Sequence, residues 1–285
     1  MTLPLVVGVD GSDASLLAVD WAAAEAARHG VPLRLVYASL WERYEGGTPA
    51  ADLEGPGAGE RVLAEHIVAA AAERAVRRAP EAEVTTGIVP EDAVDALLHE
   101  GDTACALVTG SRGRGELKGM LLGSVGLTVA ARAHCPVIVV RGDRAGTAGT
   151  HERILLAAGD PESGGTAARF AFREAEARGC TLDVVRAWRR STRSAQPAGE
   201  AERNASALLD TLLRAPMAEH PTVRVRSVTV EGPAHRILVN RSAAADLVIV
   251  GARRRHGRPG LQLGRVGHTL LHHADCPVAV VPHHV

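Results

Sequence analysis

The chain has 285 residues, 46% of them hydrophobic, 2% aromatic and 23% charged, with a formal net charge of −1. That length suits two ordinary domains, each with a sizeable core. The near-zero charge gives no general field for nucleic acid or an anionic membrane. So few aromatics exclude the stacking platforms that hold single-stranded nucleic acid.

Residues 3–9 are a continuous apolar run of strand length, reached without the basic and long apolar regions of a secretory signal. Residues 15–29 are alanine-rich and helix-like, and Gly30 ends them. A second strand is predicted over 32–38, a Gly- and Pro-rich loop over 41–59, and a helix over 60–79. Then come a short strand (83–88), a helix after Pro90, a strand (104–109), a glycine loop, a helix (124–133) and a last strand (136–140). Strands that alternate with helices, without inside–outside alternation of their own, belong to a parallel sheet covered on both faces. The longest apolar-rich region, 119–140, is broken by Arg132 and His134 and does not read as a membrane span. These features predict a cytoplasmic protein.

The pattern then repeats. "LVVGVDGSDASLLAVDWAAAEAARHG" finds its counterpart in "ILLAAGDPESGGTAARFAFREAEARG", and "AHCPVIVV" at 133–140 in "ADCPVAVV" at 274–281. The halves are whole-domain duplicates, predicted as 1–142 and 151–285, with "RGDRAGTAGT" (141–150) as the linker. The four cysteines, Cys105, Cys135, Cys180 and Cys276, form no C-x-x-C pair and have apolar neighbours, so buried reduced thiols are expected. Thirteen histidines include the adjacent His272 and His273, but no metal-ligand spacing occurs and no metal site is assigned.

The chemistry is expected where open parallel sheets bind ligands, at the carboxyl ends of strands beside a reversal of strand order. Asp10 follows the first strand, and "GSRGRGELKGMLLGSV" (110–125), with five glycines in sixteen positions, follows the fourth. Gly110 and Gly113 would flank a turn whose amides cradle an anion. Gly123 and Ser124 would open a helix whose free N–H groups point at a phosphate, with Ser124 as the cap or as a hydroxyl donor. The expectation is that the missing side chains make room for phosphates. There is no G-x-x-x-x-G-K-[ST] and no G-x-G-x-x-G after the first strand.

These residues resemble the universal stress protein family, whose nucleotide-binding members carry G-x2-G-x9-G-[ST]. Here that motif is Gly110, Gly113, Gly123 and Ser124, accompanied by "VVGVDGS", "TTGIVPEDAV" and "CPVIVV". The resemblance implies an α/β fold of two tandem five-stranded parallel-sheet domains, Rossmann-like, with strand order 3-2-1-4-5. It implies ATP, with or without Mg2+, as ligand. Asp10 would bond the adenosine portion, and Tyr37 or Ala38 would touch adenine. Gly110, Arg112, Gly113, Gly123, Ser124 and Val125 would surround ribose and phosphates.

The second half departs from this pattern. Gly251 and Gly264 are kept, but Arg254 stands for Gly113, Arg265 for Ser124 and Gly159 for Asp10, with Asp160 adjacent. The first domain is therefore expected to bind ATP, and the second to serve mainly as its partner. The last strands, 136–140 and 277–281, are expected to pair within the chain or in a homodimer, with loops 41–59 and 189–200 as lids. The expected role is nucleotide-dependent sensing in stress signalling to an unidentified partner, without catalysis. Lys118 and Asp10 are the only catalytic candidates beside the phosphates. A slow ATPase and a nucleotide-independent dimerisation module are the alternatives.

Overall fold

A computed structural model of the chain describes residues 2–40, 58–113, 122–189, 198–253 and 263–283. It divides into two units, one ending at Val140 and the other beginning at Arg141. The first unit contains β1 (Leu5–Gly8), α1 (Asp13–His29), β2 (Leu33–Ala38), α2 (Ala58–Arg78), β3 (Val84–Val89), α3 (Ala93–Gly101), β4 (Ala106–Gly110), α4 (Ser124–Arg132) and β5 (Val137–Val140). Its strands pair in parallel in the order β3-β2-β1-β4-β5. The order reverses between β1 and β4, so the carboxyl ends of those two strands border a crevice.

α1 starts where Ser12 accepts a hydrogen bond from the Ser15 amide, and it stops at Gly30, whose φ of 61° is left-handed. Ala18, Ala22, Ala23 and Ala26 are fully buried, and such small side chains let the helix lie close to the sheet. Two forked ion pairs fix the outer helices. Arg74 grips Asp20 at 2.6 and 2.7 Å, joining α2 to α1. Arg34 of β2 grips Glu100 of α3 through two bonds of 2.7 Å.

The second unit contains α5 (Arg144–Ala148), β6 (Arg153–Ala157), α6 (Pro161–Arg178), β7 (Thr181–Trp188), α7 (Ala198–Glu219), β8 (Arg224–Glu231), α8 (Ala234–Ser242), β9 (Leu247–Arg253), α9 (Arg265–His273) and β10 (Val278–His283). Its order is β8-β7-β6-β9-β10, again 3-2-1-4-5 in the unit's own count. The central strands are buried along their length, whereas β3 and β8 are largely exposed. Their polar residues, such as Thr85, Thr86, Arg224 and Arg226, suit strands with a neighbour on one side only.

The segment expected as a linker is packed against the second unit. Gly142 has φ of 98°, and a Cβ there would lie 2.1 Å from the Asp275 carbonyl oxygen. Arg141 donates to the carbonyls of Leu270 and His272, and Asp143 caps α5 through the Gly146 amide. One cysteine departs from expectation. Cys135, Cys180 and Cys276 are buried, but Cys105 is exposed, because it precedes β4 at the rim where the apolar run enters the sheet.

Leu107, fully buried in β4, and Leu63, 44% exposed on α2, measure what the first core contributes. Leu107→Ala is expected to lower unfolding free energy by about 2–5 kcal/mol, and Leu63→Ala to change it by no more than about 0.5 kcal/mol. Chemical denaturation of both variants checks this.

Candidate functional site

The crevice is built from the ends of β1 and β4 and the first turns of α1 and α4. Asp10 leaves β1, and Gly11 turns the chain with φ of 79°. The Asp10 Oδ1 accepts from the Ser12 amide at 3.0 Å and from the Ser12 hydroxyl at 2.6 Å. Ser12 in turn caps α1. The Asp10 carboxylate is thus oriented by the start of the helix, with its other oxygen turned towards Gly113. A Cβ on Gly113 would lie 2.7 Å from Asp10 Oδ2.

The three motif glycines are bare for different reasons, and this corrects the expectation that all make room for phosphates. At Gly110 a Cβ would lie 2.6 Å from the carbonyl carbon and oxygen of Ala14 and 2.9 Å from the Ser15 amide. Gly110 is bare because α1 crosses it. At Gly113 the neighbour is Asp10. At Gly123 a Cβ would meet nothing nearer than 3.7 Å among the described residues, an ordinary contact with the backbone of Ser111 and Arg112, so only this position of the three would take a side chain without a clash.

Gly123 is also the N-cap of α4, with extended backbone and no side-chain hydrogen bond. Ser124 is therefore the first helical residue and not the cap, because Gly123 already supplies the extended backbone a cap needs. The Gly123 amide donates to the Ser111 carbonyl at 2.8 Å, closing the loop onto itself. The following amides, from Ser124 onward, head the helix and carry its positive end. Ser124 and Arg112 are exposed, and Val125 is half-buried.

Asp10, Gly110, Arg112, Gly113, Gly123, Ser124 and Val125 are thus gathered in one place. Ala38 lies one strand over, at the end of β2, in an open cleft of about 370 Å³. Ser39, Leu40, Glu60, Glu91 and Asp92 line the same cleft. Tyr37, the neighbouring residue in an alternating strand, projects from the opposite face. Glu91 and Asp92 line this cleft, and the sequence reading left them without a role. Their signal was "PEDAV" directly after the third strand, since a strand's carboxyl end feeds the crevice. Asp92 caps α3 through the Val94 amide at 2.9 Å, and Glu91 lies 3.6 Å from His99. Arg114 and Lys118, most of loops 41–59 and 189–200, and Arg254 lie outside the described residues.

The second unit fills the equivalent lip with its own side chains. Asp160 is the N-cap residue of α6, but its side chain makes no cap hydrogen bond. Its carboxylate is shared by Arg186, at 2.9 Å, and Arg253, at 3.0 Å. In the repeat these arginines occupy the places of Tyr37 and Arg112. Arg186 also donates to the Gly159 carbonyl. Arg265 opens α9 where Ser124 opens α4, after an N-cap Gly264 that likewise lacks a side-chain bond.

The model of the "Universal stress protein family" matches residues 1–141 and again 150–282. The chain belongs to this family. A universal stress protein of Mycobacterium tuberculosis is 32% identical over 288 aligned positions, covering 98% of this chain and 96% of its own. One of Mycobacterium bovis is 33% identical, covering 97% and 96%. A crystal structure of a universal stress protein from Archaeoglobus fulgidus superposes with a TM-score of 0.74, covers 98% of each chain and is 18% identical, a likeness of fold. No helix among the described residues is long and apolar enough to cross a membrane.

The two outer motif glycines of this universal stress protein are expected to part in stability. Gly110→Ala forces α1 away from β4 and is expected to cost about 1–3 kcal/mol. Gly123→Ala meets no clash and loses only a preferred cap residue, about 0.5–1 kcal/mol. Parallel thermal and denaturant unfolding of the two variants reads the difference.

Proposed function

We propose that this universal stress protein binds one adenine nucleotide, ATP with or without Mg2+, in its first unit, and that the nucleotide acts as a signal and not as a fuel. The observation that carries the reading is the α4 terminus. An N-cap glycine, without a side chain to bond the helix's first amides, heads a helix at the strand-order reversal, and the motif Gly110, Gly113, Gly123, Ser124 converges there. Uncapped amides at a helix start favour phosphate. Asp10 then faces the adenosine end, and the acidic cleft beside Ala38 suits the amine and hydroxyls of a nucleoside better than its phosphates.

Holding ATP is a smaller task than hydrolysing it. Among the described residues, Oδ1 of Asp10 is committed to Ser12, Asp92 to its helix cap, and Glu91 faces His99. Binding a ground state without added transition-state contacts does not accelerate chemistry. The second unit is proposed not to take ATP in the same way, because Arg186 and Arg253 close on Asp160 across its lip. Those pairs are exposed enough to add little stability. Their consequence is to occupy space.

Calorimetry is expected to give about one ATP per chain, and Gly113→Arg, which crowds Asp10, to abolish binding while the protein stays folded. Ser124→Ala is expected to weaken binding by about 1.5–3 kcal/mol, the worth of one hydrogen bond to a charged group. Two equivalent sites, or unchanged affinity in folded Gly113→Arg, would contradict the proposal. Sustained phosphate release by the purified protein would favour an ATPase instead.

A further inference from the structure

α9 carries an imidazole pair that has no part in the nucleotide site. In "RVGHTLLHH" (265–273), His268 and His272 stand four residues apart. Side chains at that spacing lie one above the other on one face of a helix. The sequence reading weighed the adjacent His272 and His273, which point in different directions, and passed over this pair. In the structure the rings of His268 and His272 meet, with centres 4.5 Å apart and planes tilted by 33°. The His273 ring stands farther off, 6.1 Å from that of His272.

The pair is arranged as a chelate. His272 Nε2 is sealed from solvent and has no hydrogen-bond partner among the described residues. A buried polar atom left so costs free energy, which a bound partner restores. Side chains on a helix lean towards its amino terminus, so the far nitrogen of His272 is carried towards the His268 ring. His268 is exposed, and its ring can turn a nitrogen to the same point. A zinc–nitrogen bond of about 2.0–2.1 Å puts the centre of each ligand ring about 3.2 Å from the ion. Two rings on one ion, at angles from a right angle to tetrahedral, then have centres about 4.5–5.2 Å apart. The spacing in the structure meets the short end of that range.

The surrounding charges admit a cation. Burial first, and then His268, His273 and Arg141, hold the His272 ring below the ordinary histidine range, which keeps it in the neutral form that binds metal. Arg141 is the permanent cation among these groups. Its guanidinium is directed at the Leu270 and His272 carbonyls, at the negative end of the helix. In the first unit Leu127 and Ala131 take the places of the two histidines, so the pair belongs to the second unit alone.

We propose that His268 and His272 form a binding site for a divalent transition-metal ion, Zn2+, Ni2+ or Cu2+, with water completing the coordination. Two imidazoles at this helical spacing on one face are a recurrent zinc-binding arrangement. Imidazole suits these three ions, whereas Mg2+ and Ca2+ take oxygen ligands. A structural zinc has four protein ligands. With two, the ion exchanges with solution, and the site follows metal supply. Binding ties the last two turns of α9 together and stabilises the folded chain.

The test titrates the nucleotide-free full chain with Zn2+ by calorimetry. It also labels histidines with diethylpyrocarbonate, with and without the ion, and maps them by mass spectrometry. The expected result is a saturable site, protection of His268 but not of the exposed His273, and a rise in the unfolding midpoint on adding Zn2+. His268→Ala, a change at an exposed position, is expected to remove the binding step and the rise while leaving the ion-free midpoint unchanged. His272→Ala is expected to remove the binding step as well; should it not fold, His268→Ala still decides the matter. Mg2+ in place of Zn2+ is expected to produce neither protection nor the rise. Zn2+ binding of equal strength in folded His268→Ala, protection confined to other histidines, or no saturable binding would overturn the proposal.

Discussion

The first turn of α1 lies against the backbone of Gly110, so closely that a single added carbon would sit 2.6 Å from Ala14. That contact sets the depth of the crevice between β1 and β4. It holds the start of α1 against the end of β4, which brings Ser12, and with it the Asp10 carboxylate, up to Gly113. The loop after β4 is then drawn back by the Gly123 amide on Ser111. α4 then begins at Gly123, an N-cap with no side chain of its own to bond the helix's first amides. Each element of the site follows from the one before, beginning with a glycine whose task is to let a helix pass.

The second unit shows the same frame with different side chains at its lip, although a Cβ on its Gly264 would meet nothing within 4 Å among the described residues. It keeps the strand order and the uncapped glycine before its last helix. It replaces a tyrosine with Arg186 and retains an arginine as Arg253, and both turn to Asp160, one residue beyond the place of Asp10. A carboxylate shared by two guanidiniums offsets one of their two positive charges and holds both side chains across the lip. Conserving a fold costs only the buried apolar positions of the strands, whereas conserving a site requires particular atoms at its lip. The lip is therefore free to diverge first.

Much of the fold was legible in the sequence, because buried parallel strands read as apolar runs and α1 ends in a glycine that only the left-handed region requires. The edge strands β3 and β8 were harder, since Thr85, Thr86 and the arginines of β8 dilute the run. The motif glycines pointed to the right place but not to the right reasons. Sequence spacing carries no record of what a missing Cβ would have touched, so Gly110, Gly113 and Gly123 looked alike. Ser124 looked like a cap because serine favours that position, yet Gly123 already held it. Glu91 and Asp92 were passed over because the cleft they line depends on how β2 and β3 end side by side. The exposure of Cys105 could not be read from its apolar neighbours, since it depends on where the strand enters the sheet.

The account rests on two similar folds having one open lip and one closed lip. A crystal structure of the full chain grown with excess ATP tests that most directly. It should show a nucleotide in the first unit, with phosphate oxygens within hydrogen-bond reach of the amides that open α4. In the second unit Arg186 and Arg253 should still hold Asp160. Nucleotide in both units, or in the second alone with that ion-pair cluster broken, would contradict the account.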